Sequence, residues 1–158
     1  MVAIGADQAC VMEAIKGRRD VMGVKISGAY LGGLAMEMTH ELSSTKLVTD
    51  PPLDNGGEGR SFSPTDLVAT AVGSCMMSVM AIHARKHKIS LNGMVCHIEK
   101  HMSQDLPRRI SALDVVIRMP KHLAESQRQE LEAIGNSCPV IQSISPAITL
   151  NKKYVYEA

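Results

Sequence analysis

Residues 63–86 constrain the fold more than any other stretch of this chain. Ser63-Pro64-Thr65-Asp66 is a helix opening. The serine hydroxyl accepts from free N–H groups, the proline ring presets the first helical residue, and the acid at the third helical position completes a capping box. Leu67, Ala71, Cys75, Val79 and Ile82 then share one face, and Val68, Val72, Met76 and Met80 line its neighbour. A helix apolar around most of its girth is buried around most of its girth. The rest of the chain must wrap it.

The flanking segments have the pattern to do so. From Val21 the period changes to two: Val24 and Ile26, then Leu34, Met36 and Met38, alternate with smaller or polar residues. Gly32-Gly33 supplies a turn, so an antiparallel hairpin is predicted, with a third short strand through Lys46-Leu47-Val48. Asp50 to Ser61 is too dense in Pro, Gly and Asn for a helix or a central strand. Beyond the central helix, Met94, Cys96 and Ile98 mark one strand and Leu113, Val115 and Ile117 the next, with a turn at Asp105-Leu106-Pro107. Leu123 to Ile134 reads as a helix ended by Gly135-Asn136. Cys138-Pro139 opens a short helix, and Ala147 to Tyr156 gives a final strand. Upstream, Asp7 to Lys16 is a short amphipathic helix. The order β-β-β-α-β-β-α-α-β predicts an α+β fold with antiparallel sheet around one buried helix. At 158 residues the expectation is a single domain, 1–158, with residues 1–20 as an N-terminal helical appendage.

Composition narrows the partners. Hydrophobic residues make up 45% of the chain, enough for a core without a metal or disulfide staple. Aromatics are only 3%, so that core is aliphatic and drawn from 11 Met. Seventeen basic residues face 16 acidic ones, with no basic run that would suggest nucleic acid. Met1 to Ala14 carries Asp7 and Glu13 without a basic flank, unlike a signal peptide. Thr70, Gly73, Ser74, Ser78 and His83 interrupt the central apolar run, which argues against a membrane span. A cytoplasmic protein is expected, and there four cysteines are free, catalytic or metal-bound rather than structural disulfides.

Two of the cysteines sit in defined settings. Cys138 precedes Pro139 at the positive end of a helix, which favours the thiolate. Local physics therefore nominates it as the more acidic thiol. Cys75 lies about three turns into its helix and gains little from that dipole. As a nucleophile it needs a cation brought by another segment; Arg18, Arg19, Arg60, Arg85, Arg108 and Arg109 are available. Cys96 alternates with Met94 and Ile98 and reads as core, and Cys10 has no setting that suggests chemistry. There is no C-x-x-C pair, hence no thioredoxin motif or zinc knuckle. His83 and His87 are spaced i, i+4, but Ala84, Arg85 and Lys86 between them would repel a metal. Neither a cofactor nor a metal is expected.

The combined pattern resembles the OsmC/Ohr family, the osmotically inducible and organic hydroperoxide resistance proteins. The resemblance rests on Asp50-Pro51-Pro52 with Gly56-Gly57, Ser63-Pro64-x-Asp66-Leu67, Ala71-x-Gly73-Ser74-Cys75-Met76, and Cys138-Pro139-Val140-x-x-Ser143. It implies an interwound homodimer with two sheets packed around paired central helices. It also implies that Cys75 is the peroxidatic nucleophile toward an organic hydroperoxide. Cys138 would resolve it through an intramolecular disulfide, and a dithiol, typically lipoyl, would reduce that bond. Peroxidases of this family carry a Glu ten residues before the nucleophile, which orients an activating Arg. Here that position is Thr65. Asp66 is one step on, about 100° around the helix, and is the orienting candidate; Arg18 or Arg19, then Arg60, are the activating ones. Thr65 also motivates a second expectation, a redox-sensing or ligand-binding member with little turnover.

Overall fold

The computed structural model of the chain describes residues 23–156. The helix expected over residues 7–16, together with Cys10, Arg18 and Arg19, lies outside the described residues.

The first sheet is a meander of β1 (Ile26–Gly32), β2 (Ala35–His40) and β3 (Thr45–Thr49), antiparallel throughout. Gly32, Gly33 and Leu34 turn the chain between β1 and β2 at φ of 89°, 55° and 66°. Three successive left-handed residues are affordable there because two of them lack a Cβ. The Pro/Gly-rich stretch then runs as a loop with one short turn of 3-10 helix, Leu53–Asn55.

Helix α1 (Pro64–Lys86) starts as the sequence predicts. The Asp66 N–H donates to Ser63 Oγ at 3.2 Å, and the Ser63 N–H donates to Asp66 Oδ2 at 2.7 Å. A serine cap of this kind contributes about 1 kcal/mol. The helix stops at Lys86, and Lys88, at φ 56°, reverses the chain.

The second sheet holds β4 (Val95–Met102), β5 (Ile110–Arg118) and β6 (Thr149–Val155). β4 and β5 are antiparallel, but β6 runs parallel to β5. The wholly antiparallel expectation is corrected here. Two helices, α2 (Glu125–Asn136) and α3 (Pro139–Ser143), carry the chain from the end of β5 back to the start of β6, and a parallel neighbour needs such a crossover.

The core lies where α1 crosses this second sheet and α2. Val72, Met76 and Met80 of α1 meet Leu113, Val115 and Ile117 of β5 and Leu131 of α2, each at most 1% exposed. Full burial of such a side chain contributes about 1.5–3 kcal/mol. Gly73 is the point of closest approach: a Cβ there would lie 2.3 Å from Ile98 Cδ1 and 3.1 Å from Cys96 Sγ.

The first sheet contributes little to that core. Ile26 and Tyr30 are each 63% exposed, and Leu31, Leu34, Leu47 and Val48 are exposed with them. α1 itself is long and apolar enough to cross a membrane by length and composition. Its Ala69, Val72, Met76, Met80 and Ala84 instead pack into the core, as in the central helix of a globular domain.

Candidate functional site

Cys75 and Cys138 come together. α3 packs against α1, and its N-cap residue is Cys138, at φ −61° and ψ 147°. Cys138 is 1% exposed, whereas Cys75 is half-buried, and no bond joins the two sulfurs. They are close enough for an ionised Cys75 to oppose ionisation of Cys138.

The electrostatics of Cys138 differ from the sequence expectation. Burial pushes its thiol up, and the neighbouring Cys75 adds to that, while the Ile141 and Val140 N–H groups pull it back only in part. The helix behind it is five residues long, too short for a full dipole to outweigh desolvation. Cys138 is thus a protonated thiol at neutral pH. Its alkylation by iodoacetamide should keep accelerating with pH beyond the point where a free thiol, with pKa about 8.5, has levelled off. In Cys75→Ser the profile should move to lower pH, because the opposing charge is gone. An unshifted profile in that variant would mean that the two sulfurs do not sense each other.

Tyr154 of β6 stands beside this pair. Burial first, then Glu132, Cys138 and Cys96, push its hydroxyl up to about 12. That hydroxyl donates to Asn136 Oδ1 at 3.2 Å. Gly135 makes the space: a Cβ there would meet the Tyr154 oxygen at 2.9 Å and Met80 Sδ at 3.2 Å. Sequence reading placed Tyr154 only as part of the last strand. Cys96 is half-buried beneath Gly73, and burial raises its thiol as well.

At the start of α1 a cation missed by the sequence reading takes the central place. Lys100 of β4, with its side chain 15% exposed, reaches Asp66 Oδ1 at 2.6 Å and donates to Thr65 Oγ1 at 2.7 Å. Partial burial works against ionisation of Asp66, but the bonds from Lys100 and Ser63 win and hold its carboxyl below the usual range. Asp66 is therefore engaged by Lys100 and by the helix cap. The signal for Lys100 was its inward parity on β4 with Cys96 and Ile98, an unusual place for a lysine.

Arg60 is tied down in the loop before α1. Its Nε donates to Asp50 Oδ2 at 2.9 Å and pairs with Glu58 at 3.2 Å. Bonds from the Arg60 side chain and backbone in turn hold the Asp50 carboxyl low. Arg60 lines a groove of about 990 Å³ with Asp66, Gly73, Ser74, Cys96 and Lys100, and Cys75 is not among its walls. Arg108 pairs with Asp54 at 3.2 Å and Arg109 with Asp105 at 2.9 Å. A smaller pocket of about 400 Å³, walled by Val68, Ile110, Ile144 and Ile148 with Thr65 and Arg109 at its edge, lies on the Cys75 side of α1. Val68 is two turns from Cys75, about 10 Å along the axis and about 20° around it.

A half-buried thiol on a long apolar helix, set beside a buried one at the N-cap of a short helix, marks an α+β protein with a paired-cysteine site. The family follows from comparison: the chain belongs to the OsmC-like proteins, whose family model matches residues 57–153. A crystal structure of a protein from Psychrobacter arcticus, named for osmotic stress induction and detoxification response, is 32% identical. It superposes with a TM-score of 0.80, over 87% of this chain and 99% of that one. An organic hydroperoxide resistance protein OsmC from Legionella pneumophila shares the fold at 18% identity and a TM-score of 0.69, covering 87% and 99% of the two chains. So does the organic hydroperoxide resistance protein OhrB of Bacillus subtilis, at 16% and 0.62, covering 84% and 98%. A search of curated protein sequences finds no match to this chain.

Proposed function

We propose that this protein reduces organic hydroperoxides through its two thiols, with Cys75 as nucleophile and Cys138 as resolving residue. The observation that carries the reading is the juxtaposition of the half-buried Cys75 with the buried Cys138. The Cys75 thiolate attacks the distal oxygen of the hydroperoxide. An S–O bond forms, the O–O bond breaks, and the alkoxide leaves as alcohol after taking a proton. Cys75 is now a sulfenic acid. Cys138 gives up its proton and attacks that sulfur, forming the disulfide and releasing water. A dithiol, lipoyl by resemblance, restores both thiols by exchange.

The raised acidity threshold of Cys138 suits this order of events. While Cys75 is an anion it helps keep Cys138 protonated. Once Cys75 is a neutral sulfenic acid that opposition disappears, so Cys138 becomes more acidic at the moment it must attack. The apolar pocket beside Val68 and Ile148 accepts the hydrocarbon part of a substrate. Consumption of cumene hydroperoxide by the reduced protein, driven by a lipoyl dithiol, tests the reading. Absence of multiple turnover would exclude it.

A redox-sensing or ligand-binding role with little turnover is the second reading, favoured by Thr65 and by the engagement of Arg60 and Arg109 with carboxylates. Peroxide then yields the Cys75–Cys138 disulfide, but no dithiol sustains catalysis. In either case we propose a single domain acting as an interwound homodimer. The exposed Ile26, Tyr30 and Leu47 of the first sheet and Ile82 of α1 are apolar surface that a second copy would cover. Light scattering should give twice the 17.1 kDa chain mass; a monomer at micromolar concentration would reject the dimer.

A further inference from the structure

The outer face of the second sheet carries a cluster that the thiol chemistry does not use. Along β4 the even residues Cys96, Ile98 and Lys100 turn toward α1, so His97, Glu99 and His101 take the other side. Glu99 stands directly opposite Asp114 of β5, which in turn is in register with Asn151 of β6. A like-charge pair directly across two strands is destabilising unless something offsets it. The offset comes from neighbours. A bulge in the β4–β5 register falls between His101 and Met102, and the His101 ring reaches Asp114 Oδ2 through Nε2 at 2.8 Å. Asn151 Nδ2 donates to the other oxygen, Oδ1, at 2.7 Å. One donor atom each from Glu99, His101 and Asp114 lies within 4.8 Å of the other two.

We propose that Glu99, His101 and Asp114 form a binding site for a divalent first-row transition ion of the zinc class. Bonds of about 2.0–2.2 Å to nitrogen and oxygen ligands place donors roughly 3.3 Å apart in a tetrahedron. The three donors already lie within 4.8 Å of one another, and the 2.8 Å between His101 and Asp114 would widen slightly around a bound ion. Imidazole with carboxylate favours zinc, nickel or copper over magnesium and calcium. Hydrogen bonds from Asn151 and His101 hold the Asp114 carboxyl below its usual range, in the charged form that a ligand requires. Asn151 is the outer partner that orients a ligating carboxylate. His101 and Asp114 are each about two-fifths exposed, so three protein ligands leave further coordination positions open to water. The cation would replace the Glu99–Asp114 repulsion with a bridge between β4 and β5.

Zinc titration by calorimetry tests the site. The thiol pair is itself a potential ligand, so the protein is the full chain carrying both Cys75→Ser and Cys138→Ser. One zinc per chain is expected. Adding His101→Gln or Glu99→Gln should weaken binding by more than the roughly tenfold that loss of an outer partner costs. Asn151→Ala, which removes no ligand, should weaken it by about tenfold. In the presence of a chelator Glu99→Gln should melt no lower than its parent, since it relieves repulsion, and it should lose the zinc-induced rise in Tm. Absence of zinc binding up to millimolar concentration overturns the proposal. So does a zinc affinity or melting rise that none of the three substitutions changes.

Discussion

Cys75→Ser should bring hydroperoxide turnover down to the rate of the dithiol alone, whereas Cys138→Ser should leave one round of reaction intact. The asymmetry follows from the order of bond changes. In the proposed mechanism it is the Cys75 sulfur that accepts oxygen from the peroxide. Without the Cys138 sulfur the sulfenic acid still forms once per chain, then waits for an outside thiol. Trapping with a dimedone-type reagent should label Cys75 in the Cys138→Ser protein and nothing in Cys75→Ser. Steady turnover in Cys75→Ser would remove Cys75 from the mechanism. A single turnover kept in Cys75→Ser and lost in Cys138→Ser would mean that the roles are exchanged.

The second large effect is expected in the loop that leads into α1. A Cβ on Gly57 would lie 1.8 Å from the Pro51 carbonyl oxygen and 2.4 Å from its carbon. Both are backbone atoms of the same tight loop, so no side-chain rotation relieves the overlap. The loop must open, and opening it separates Asp50 from the Glu58 and Arg60 N–H groups that donate to it. Gly57→Ala should therefore lower stability by about 3 kcal/mol or more, the upper range for overpacking. Gly59→Ala is the control. Its φ of +63° is unfavourable for alanine, but its nearest neighbour, Leu53 Cγ, is 3.7 Å away. It should cost about 1–2 kcal/mol. Equal losses in chemical denaturation would show that backbone conformation, not the Pro51 contact, governs the loop.

The local signals in the chain translated well into structure, and the non-local ones did not. The capping box at Ser63 and Asp66, the Gly32-Gly33 turn and the order of all elements from β1 onward were legible, because each depends on residues within a few positions of one another. The direction of β6 was not. Alternation marks a strand but says nothing of which way its neighbour runs. The acidity of Cys138 was misjudged for a related reason: Pro139 advertises a helix start, while the burial that outweighs it comes from distant segments. Family resemblance paired Cys75 with Cys138, which periodicity alone left apart. It also drew attention to Thr65 without revealing that Lys100, thirty-five positions away, holds its hydroxyl. The outer-face cluster was invisible for the same reason, since Glu99, Asp114 and Asn151 meet only after three strands align.

The crossover from β5 to β6 also determines what oxidation would do to the molecule as a whole. Cys138 sits within that crossover and Cys75 on the helix ahead of β4, so a bond between them encloses β4, β5 and α2 in a covalent ring. In a chain-entropy account, closing a ring of this size denies the unfolded chain about 4 kcal/mol of freedom. Oxidation and folding would then reinforce each other, and the reductant must work against part of the stability of the fold. The protein would be most resistant to heat after meeting peroxide, and would loosen again as it is returned to service.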